Sequence, residues 1–169
     1  MHVSSIAHLF YRINPLRIRE ILKFMGSERA QKVERLLDFG SESAGGMIRT
    51  TFWKFDGDLT VKEAYNQLFQ KTPKPEAVVV TNGNEKFIGT FYTKDLLDSD
   101  SLALLKDIVS EKKFVYPNVG INNLIAIFSK YNLRILPVVD KDKKPIGVVR
   151  IDAILEKIEE RIKTTNEFI

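Results

Sequence analysis

The chain has 169 residues and no cysteine, with 44% apolar and 28% charged residues. This globular composition excludes disulfide staples, thiolate metal sites and cysteine nucleophiles, and argues against a disordered chain. The net charge of +4 sits mostly at the amino terminus, where residues 1–40 hold 7 basic and 4 acidic residues and leave 19 and 18 for 41–169; with cations scattered among acids, nucleic-acid binding is not expected.

No window approaches the roughly 18–20 consecutive apolar residues of a membrane-spanning helix, and the strongest run, Ala77-Val78-Val79-Val80, is strand-sized. Met1-His2-Val3-Ser4-Ser5-Ile6 lacks the basic-then-apolar order of a signal peptide, so the expected location is the cytoplasm. In chain order, helical periodicity comes first. Ile6, Leu9, Phe10 and Ile13 precede Pro15, while Ile18, Ile21, Leu22 and Met25 follow it, which predicts two short amphipathic helices, the second starting with Asn14 as cap and Pro15 in its first turn. Gly26-Ser27-Glu28 ends that helix and caps a third, through Ala30, Val33, Leu36 and Leu37. Units this short form a small helical repeat that must dock on something to bury its apolar face.

Residues 40–46, Gly-Ser-Glu-Ser-Ala-Gly-Gly, read as a loop, and a domain boundary is expected near residue 40. Beyond it the pattern predicts an extended stretch at 52–55, a helix at 58–69 capped by Asp58, strands at 77–80 and 87–91 joined by an Asn-Gly turn, and a helix from Thr93. The second half repeats this, with an extended stretch at 114–116, a helix at 121–131, strands at 135–139 and 146–150, and a helix from Ile151. Residues 77–97 match 135–155 at a constant offset of 58: Val78, Val80, Ile88, Gly89, Phe91 and Leu96 fall on Leu136, Val138, Ile146, Gly147, Val149 and Ile154. A glycine inside each strand signals close approach of a backbone or ligand. Two β-α-β-β-α units with exposed sheet faces cover them by packing about a pseudo-twofold axis.

Tyr131-Asn132-Leu133-Arg134-Ile135-Leu136-Pro137-Val138-Val139-Asp140 followed by Pro145-Ile146-Gly147-Val148-Val149 resembles the signature of a CBS motif, and 77–97 is a looser copy. Ser43-Ala44-Gly45-Gly46-Met47-Ile48-Arg49-Thr50 is similar to the junction between the helical domain and first CBS motif of MgtE magnesium transporters. Asn14-Pro15-Leu16-Arg17 and Ser27-Glu28-Arg29-Ala30 look like the last repeats of that helical domain, and 58–64 resembles its first CBS helix. The expected fold is α/β (α+β): a short amino-terminal helical repeat at 1–40, a tandem CBS pair at 41–160 with motifs at about 47–105 and 106–160, and a helix end at 161–169.

The resemblance implies two ligands. CBS modules commonly hold an adenine nucleotide in a cleft, with a Gly-x-x-Ser/Thr-x-x-Asp turn on the ribose. Here the first copy runs from Gly89 to Asp95 with Tyr92 in the hydroxyl position and Thr93 beside it; the second has Arg150 there and Ala153 for the carboxylate. The nucleotide candidates are therefore Asp95, Tyr92, Thr93, Pro137 and Arg150, with Arg150 suited to a phosphate. The plainer reading of Asp95 is a helix-start carboxylate, favoured over a ribose ligand. In MgtE transporters, as the resemblance implies, Mg2+ neutralises repulsion between cytosolic carboxylates and closes the pore. The acidic candidates for such a hydrated hard cation are Asp98, Asp100, Asp107, Glu42, Asp152 and Glu156, although Asp98-Ser99-Asp100-Ser101 also reads as an ordinary turn and the near balance of acid and base leaves little surplus negative charge. His2 and His8 have no catalytic partners at recognisable spacing, so no enzyme is expected. Trp53 with Phe52 and Phe55 makes an aromatic patch or core packing. Apolar helix faces point to a homodimer, and the expected partner is a membrane transporter domain outside this chain, with the module at the inner face of the membrane.

Overall fold

Chain order is helical first and mixed afterwards, as the change of period near residue 40 predicts. A computed structural model describes residues 3–10, 13, 15–70 and 72–166; Asn14 and His2 lie outside the described residues, as does the side chain of His8. The elements are α1 (Val3–Phe10), α2 (Pro15–Lys23), α3 (Ser27–Leu37), α4 (Ala44–Met47), β1 (Lys54–Asp56), α5 (Val61–Phe69), β2 (Ala77–Thr81), β3 (Phe87–Tyr92), a 3-10 turn (Thr93–Leu96), α6 (Leu105–Ile108), α7 (Ile121–Tyr131), β4 (Ile135–Val139), β5 (Pro145–Arg150) and α8 (Ile151–Asn166). They fall into two units, one of residues 1–50, 115–138 and 147–169, the other of 51–114 and 139–146. The helical array therefore clusters with second-motif residues.

In the first unit Ile6, Ala7, Phe10, Leu22, Val33 and Leu36 are buried, whereas Leu9 and Ile21 of the helical pattern are 50% and 39% exposed. Ser27 does not cap α3. Gly26 is the cap, its carbonyl accepting from the N–H groups of Arg29 and Ala30 at 3.0 Å each, and Ser27 is already helical with no side-chain cap bond. Ser43 does cap α4, accepting from Gly46 N–H at 3.2 Å while its hydroxyl donates to the Gly40 carbonyl at 2.9 Å. The N–H groups of Ala44 and Gly45 then donate to Val119 and Pro117, and that of Ile121 to Glu42, at 2.8 Å each. A methyl group on Gly45 would enter the Phe39 ring, and one on Gly46 would strike the Gly40 carbonyl. Gly46 is thus required by backbone folded onto backbone, and Gly45 by the Phe39 side chain packed against it. Helix α7 buries Ile121, Leu124 and Phe128 along one stripe and ends at Asn132, which takes the left-handed conformation at φ 49 that asparagine tolerates.

In the second unit β1 runs parallel to β2 (Phe55 opposite Val80) and β2 antiparallel to β3 (Val80 opposite Gly89). Phe55, Val61, Ala64, Leu68, Val78, Val80, Phe91, Leu96 and Leu105 form the core, with Trp53 partly buried against it and edge-on to Phe55 at 6.1 Å; Trp53 and Phe55 are core packing. Helix α5 begins at Val61 and its cap is Thr60, not Asp58. Thr60 accepts from Glu63 N–H at 3.3 Å and the Glu63 carboxylate accepts from Thr60 N–H at 2.8 Å, a reciprocal box that satisfies two end donors. Asp58 instead donates its N–H to Asp56 at 2.8 Å. The helix expected from Thr93 is a single 3-10 turn.

Both hairpin turns depart from a two-residue Asn-Gly turn in the same way. Asn82 Oδ1 accepts from the N–H groups of Asn84 and Lys86 at 3.1 and 2.9 Å, and Asp140 Oδ1 from those of Asp142 and Lys144 at 2.9 Å each. The left-handed residues are Glu85 and Lys143, both at φ 60. The offset of 58 holds through every one of these pairs.

The glycines confirm close backbone approach. Thr90 pairs with Glu111 and Val148 with Arg49, both antiparallel, so the leading residues of the second motif edge the first motif's β3, and the leading residues of the first motif edge the second motif's β5. A Cβ on Gly89 would lie 2.6 Å from Val109 Cβ; one on Gly147 would lie 2.5 Å from the Arg49 carbonyl oxygen.

Candidate functional site

The first-motif turn gathers a small polar group. Asp95 Oδ2 accepts from Tyr92 N–H at 3.0 Å and from the Ser110 hydroxyl at 3.1 Å, so it serves as the carboxylate that starts the 3-10 turn. Ser110 also approaches the Thr90 carbonyl at 3.4 Å, which places Thr90 and Asp95 on one serine. Thr90 is 2% exposed and its hydroxyl has no hydrogen-bond partner among the described residues, an unusual state because a buried hydroxyl left unpaired costs about 1–3 kcal/mol. Tyr92 is half-buried and Lys94 sits over its ring at 6.0 Å. The Thr93 hydroxyl is taken by the Pro75 carbonyl.

The second-motif turn is closed by an ion pair. Arg150 Nε donates to both Asp152 oxygens at 3.1 and 3.2 Å, and Asp152 also accepts from Ala153 N–H at 3.0 Å. Partial burial pushes the Asp152 carboxyl up, but the hydrogen bond and charge of Arg150 outweigh it and hold the group below its ordinary value. Pro137 is a buried residue of β4 whose carbonyl accepts from Val115 N–H at 2.9 Å.

The acidic candidates are scattered. Asp98 is exposed, and Asp100 caps its own turn by accepting from Leu102 N–H at 2.9 Å. Asp107 lies exposed on α6 and Glu156 exposed on α8. Glu42 is held by the Arg161 guanidinium in a two-point fork at 3.0 and 2.8 Å, whose hydrogen bond keeps its carboxyl below the ordinary range against desolvation, with the charges of Arg161 and Lys157 adding to it. Among the described residues no three of His, Cys, Asp or Glu come together so as to hold a metal ion. Two of the candidates instead have intrachain cations, Glu42 with Arg161 and Asp152 with Arg150; Asp58, outside that set, pairs with Lys106 at 2.8 Å. The Lys106 ammonium is pushed up by its hydrogen bond to Asp58, with further support from Asp107 and Asp56.

Sequence reasoning missed Thr90, Ser110, Lys106 and Arg161. Thr90 follows the repeated glycine directly, so the offset of 58 points to its place; Arg161 lies 119 positions from Glu42 and nothing local signals that partnership.

The CBS domain family matches residues 105–160, the second motif. The magnesium transporter MgtE of Enterococcus faecalis is 26% identical over 138 residues, which cover 79% of this chain and 30% of the transporter. That of Thermus thermophilus is 21% identical over 150 residues, covering 86% and 33%, so the chain spans about a third of the curated relatives it matches. Among solved structures, the soluble part of a magnesium transporter superposes with a TM-score of 0.80 at 23% identity, over 95% of this chain and 64% of that one. The cytosolic domain of the Mg2+ channel MgtE in complex with ATP does so at 0.68 and 19% identity, over 92% and 75%. At these identities the structural agreement is one of fold, a CBS pair preceded by helices. No helix among the described residues is long and apolar enough to cross a membrane.

Proposed function

We propose that this chain, a CBS-pair protein resembling the cytosolic region of MgtE-type magnesium transporters, is a non-catalytic regulatory module of magnesium transport that works in the cytoplasm on a membrane domain outside the chain. The observation that carries the reading is the extent of the likeness: it runs through the helical array, the Gly45-Gly46 junction and both motifs, not through the second motif alone. Mg2+ acts here in competition with the protein's own cations, because Glu42, Asp58 and Asp152 already have basic partners. Its binding is correspondingly weak, in the millimolar range of a sparsely built hard-cation site.

The test is a thermal melt of the purified chain against Mg2+, with Ca2+ and Na+ at matched ionic strength as controls. Ten times the dissociation constant stabilises the native state by about 1.4 kcal/mol, a rise of a few degrees for a chain of this size. A rise specific to Mg2+ supports the reading. Equal shifts with all three cations would reduce it to general charge screening.

A second reading, an adenine-nucleotide sensor, is favoured by the unpartnered Thr90 hydroxyl and by Asp95, which shares Ser110 with the Thr90 carbonyl, a donor and acceptor set that fits a ribose diol. It predicts that ATP, ADP or AMP raises the melting midpoint and that Asp95→Asn removes the rise. A nucleotide shift that survives in that variant places the ligand elsewhere.

We also propose a homodimer. Ile151, Leu155, Ile158 and Ile162 lie on one stripe of α8, with Leu155 53% and Ile162 56% exposed, the alternating three-and-four spacing of a helix seam. Light scattering at micromolar concentration tests it; a monomer mass for the wild type rejects it.

A further inference from the structure

The end of α8 extends beyond its apolar packing. Ile154 is 1% exposed and Ile158 half-buried, but residues 159–165 are all exposed. Thr164 and Thr165 turn their hydroxyls back onto the carbonyls of Glu160 and Arg161 in the same helix, and such bonds do not fasten the helix to anything else. Arg161 does. Besides its fork on Glu42 it donates to Asn122 Oδ1 at 3.0 Å, so one guanidinium grips both the loop ahead of α4 and the first turn of α7.

The loop is rigid enough to serve as an anchor. Glu42 offers its own carbonyl to Ile121 N–H at 2.8 Å, the next residue is the Ser43 cap, and Gly40 before it takes φ +76. The carboxylate is therefore presented from a fixed backbone, which removes part of the entropic cost that makes most surface pairs worthless. The planar fork adds geometric selectivity. With side chains 49% and 41% exposed, the pair remains open to water and salt.

We propose that the Arg161–Glu42 fork is a salt-labile latch that couples the order of the end of α8 to the loop leading into α4. Closed, it holds the last two turns of the helix; open, those turns fray. The latch needs no metal and no nucleotide, so it stands or falls separately from the ligand readings above.

Hydrogen exchange read by mass spectrometry on the full chain tests it, with Arg161→Gln, Glu42→Gln and the exchanged pair Glu42→Arg/Arg161→Glu. Arginine and glutamine have similar helix propensity, so Arg161→Gln alters the latch and not the intrinsic helix, and Glu42→Gln leaves α8 untouched. At low salt both single variants should speed exchange of amides 159–166 by about three- to tenfold, with the amides of β2 unchanged. The exchanged pair should be slower than either single variant, and 1 M NaCl should bring the wild type to the rate of the variants. Single-variant rates within twofold of wild type, or an exchanged pair no slower than the singles, overturn the proposal.

Discussion

The two motifs share a frame and differ in how the chain leaves it. Asn82 and Asp140 make the same turn, Gly89 and Gly147 admit the same kind of backbone neighbour, and the N–H groups of Thr93 and Ile151 donate to the Glu76 and Arg134 carbonyls at the same 3.0 Å. After that point the copies part. In the first, Asp95 folds back onto Tyr92 N–H and the Ser99 hydroxyl takes the Asp95 carbonyl at 2.6 Å, so the helix stops after one turn and Leu97 is left 65% exposed. In the second, the offset places Ala153 where Asp95 stood, and the chain runs on as a 16-residue helix. Strand and glycine positions are dictated by packing, which tolerates few solutions; the exits are free to specialise, and the polar cradle and the latch lie at or beyond them.

The strongest way to break this symmetry is to fill the two glycines. A methyl group at Gly147 meets the Ile48 side chain and, at 2.5 Å, the backbone oxygen of Arg49, whereas one at Gly89 meets the Val109 side chain first and the Glu111 oxygen only at 3.1 Å. Backbone yields less than side chain, so Gly147→Ala should cost about 3 kcal/mol and Gly89→Ala about 1–2 kcal/mol, read from urea unfolding. Equal costs would show the two approaches to be equally tight.

A milder change sharpens the comparison at the helix starts. Thr60 and Gly120, the caps of α5 and α7, have nearly the same backbone, φ −77 with ψ 156 and 161, yet only the first carries a side-chain cap. Thr60→Ala should cost about 1 kcal/mol. A Cβ at Gly120 meets nothing within 4 Å, so Gly120→Thr with Asn123→Glu should rebuild the capping box of Thr60 and Glu63 on α7 and gain a few tenths of a kcal/mol. A loss in that double variant would mean that the 118–121 backbone has to adjust for a reason the cap geometry does not contain.

Legibility followed range. Strands, paired glycines and the stripe Ile121, Leu124 and Phe128 were readable because each is a short-period pattern with a single packing answer. The Asp58 cap was misplaced by two residues because aspartate and threonine both suit a helix start, and the capping box of Thr60 with Glu63 decided between them. The exchange of leading segments, Arg49 to the second motif and Glu111 to the first, rests on isolated bridges with no periodicity to announce them. The carboxylates were read singly and not as pairs: Arg161 and Lys106 reach Glu42 and Asp58 across 119 and 48 positions, and long-range charge pairing has no local signature.

A small, pH-dependent effect is expected at the Arg150–Asp152 ion pair of the second motif. Asp152 lies below its ordinary value of 3.8 because Arg150 outweighs desolvation. A carboxylate depressed on folding adds stability that is fully present above its unfolded value and is lost as pH falls through the folded one. Stability contributed by Asp152 should therefore fade only from about pH 4 downward. Its side chain is 49% exposed, so screening limits the contribution to no more than about 1 kcal/mol. Asp152→Asn keeps the acceptor for Ala153 N–H and removes the charge, so the stability difference between wild type and variant, measured by urea unfolding from pH 7 to pH 3, should narrow only on the acid side. A difference that stays constant down to pH 3 would assign the Arg150 contact to geometry and not to charge, and the second-motif turn would then be held, like the first, by hydrogen bonds to backbone.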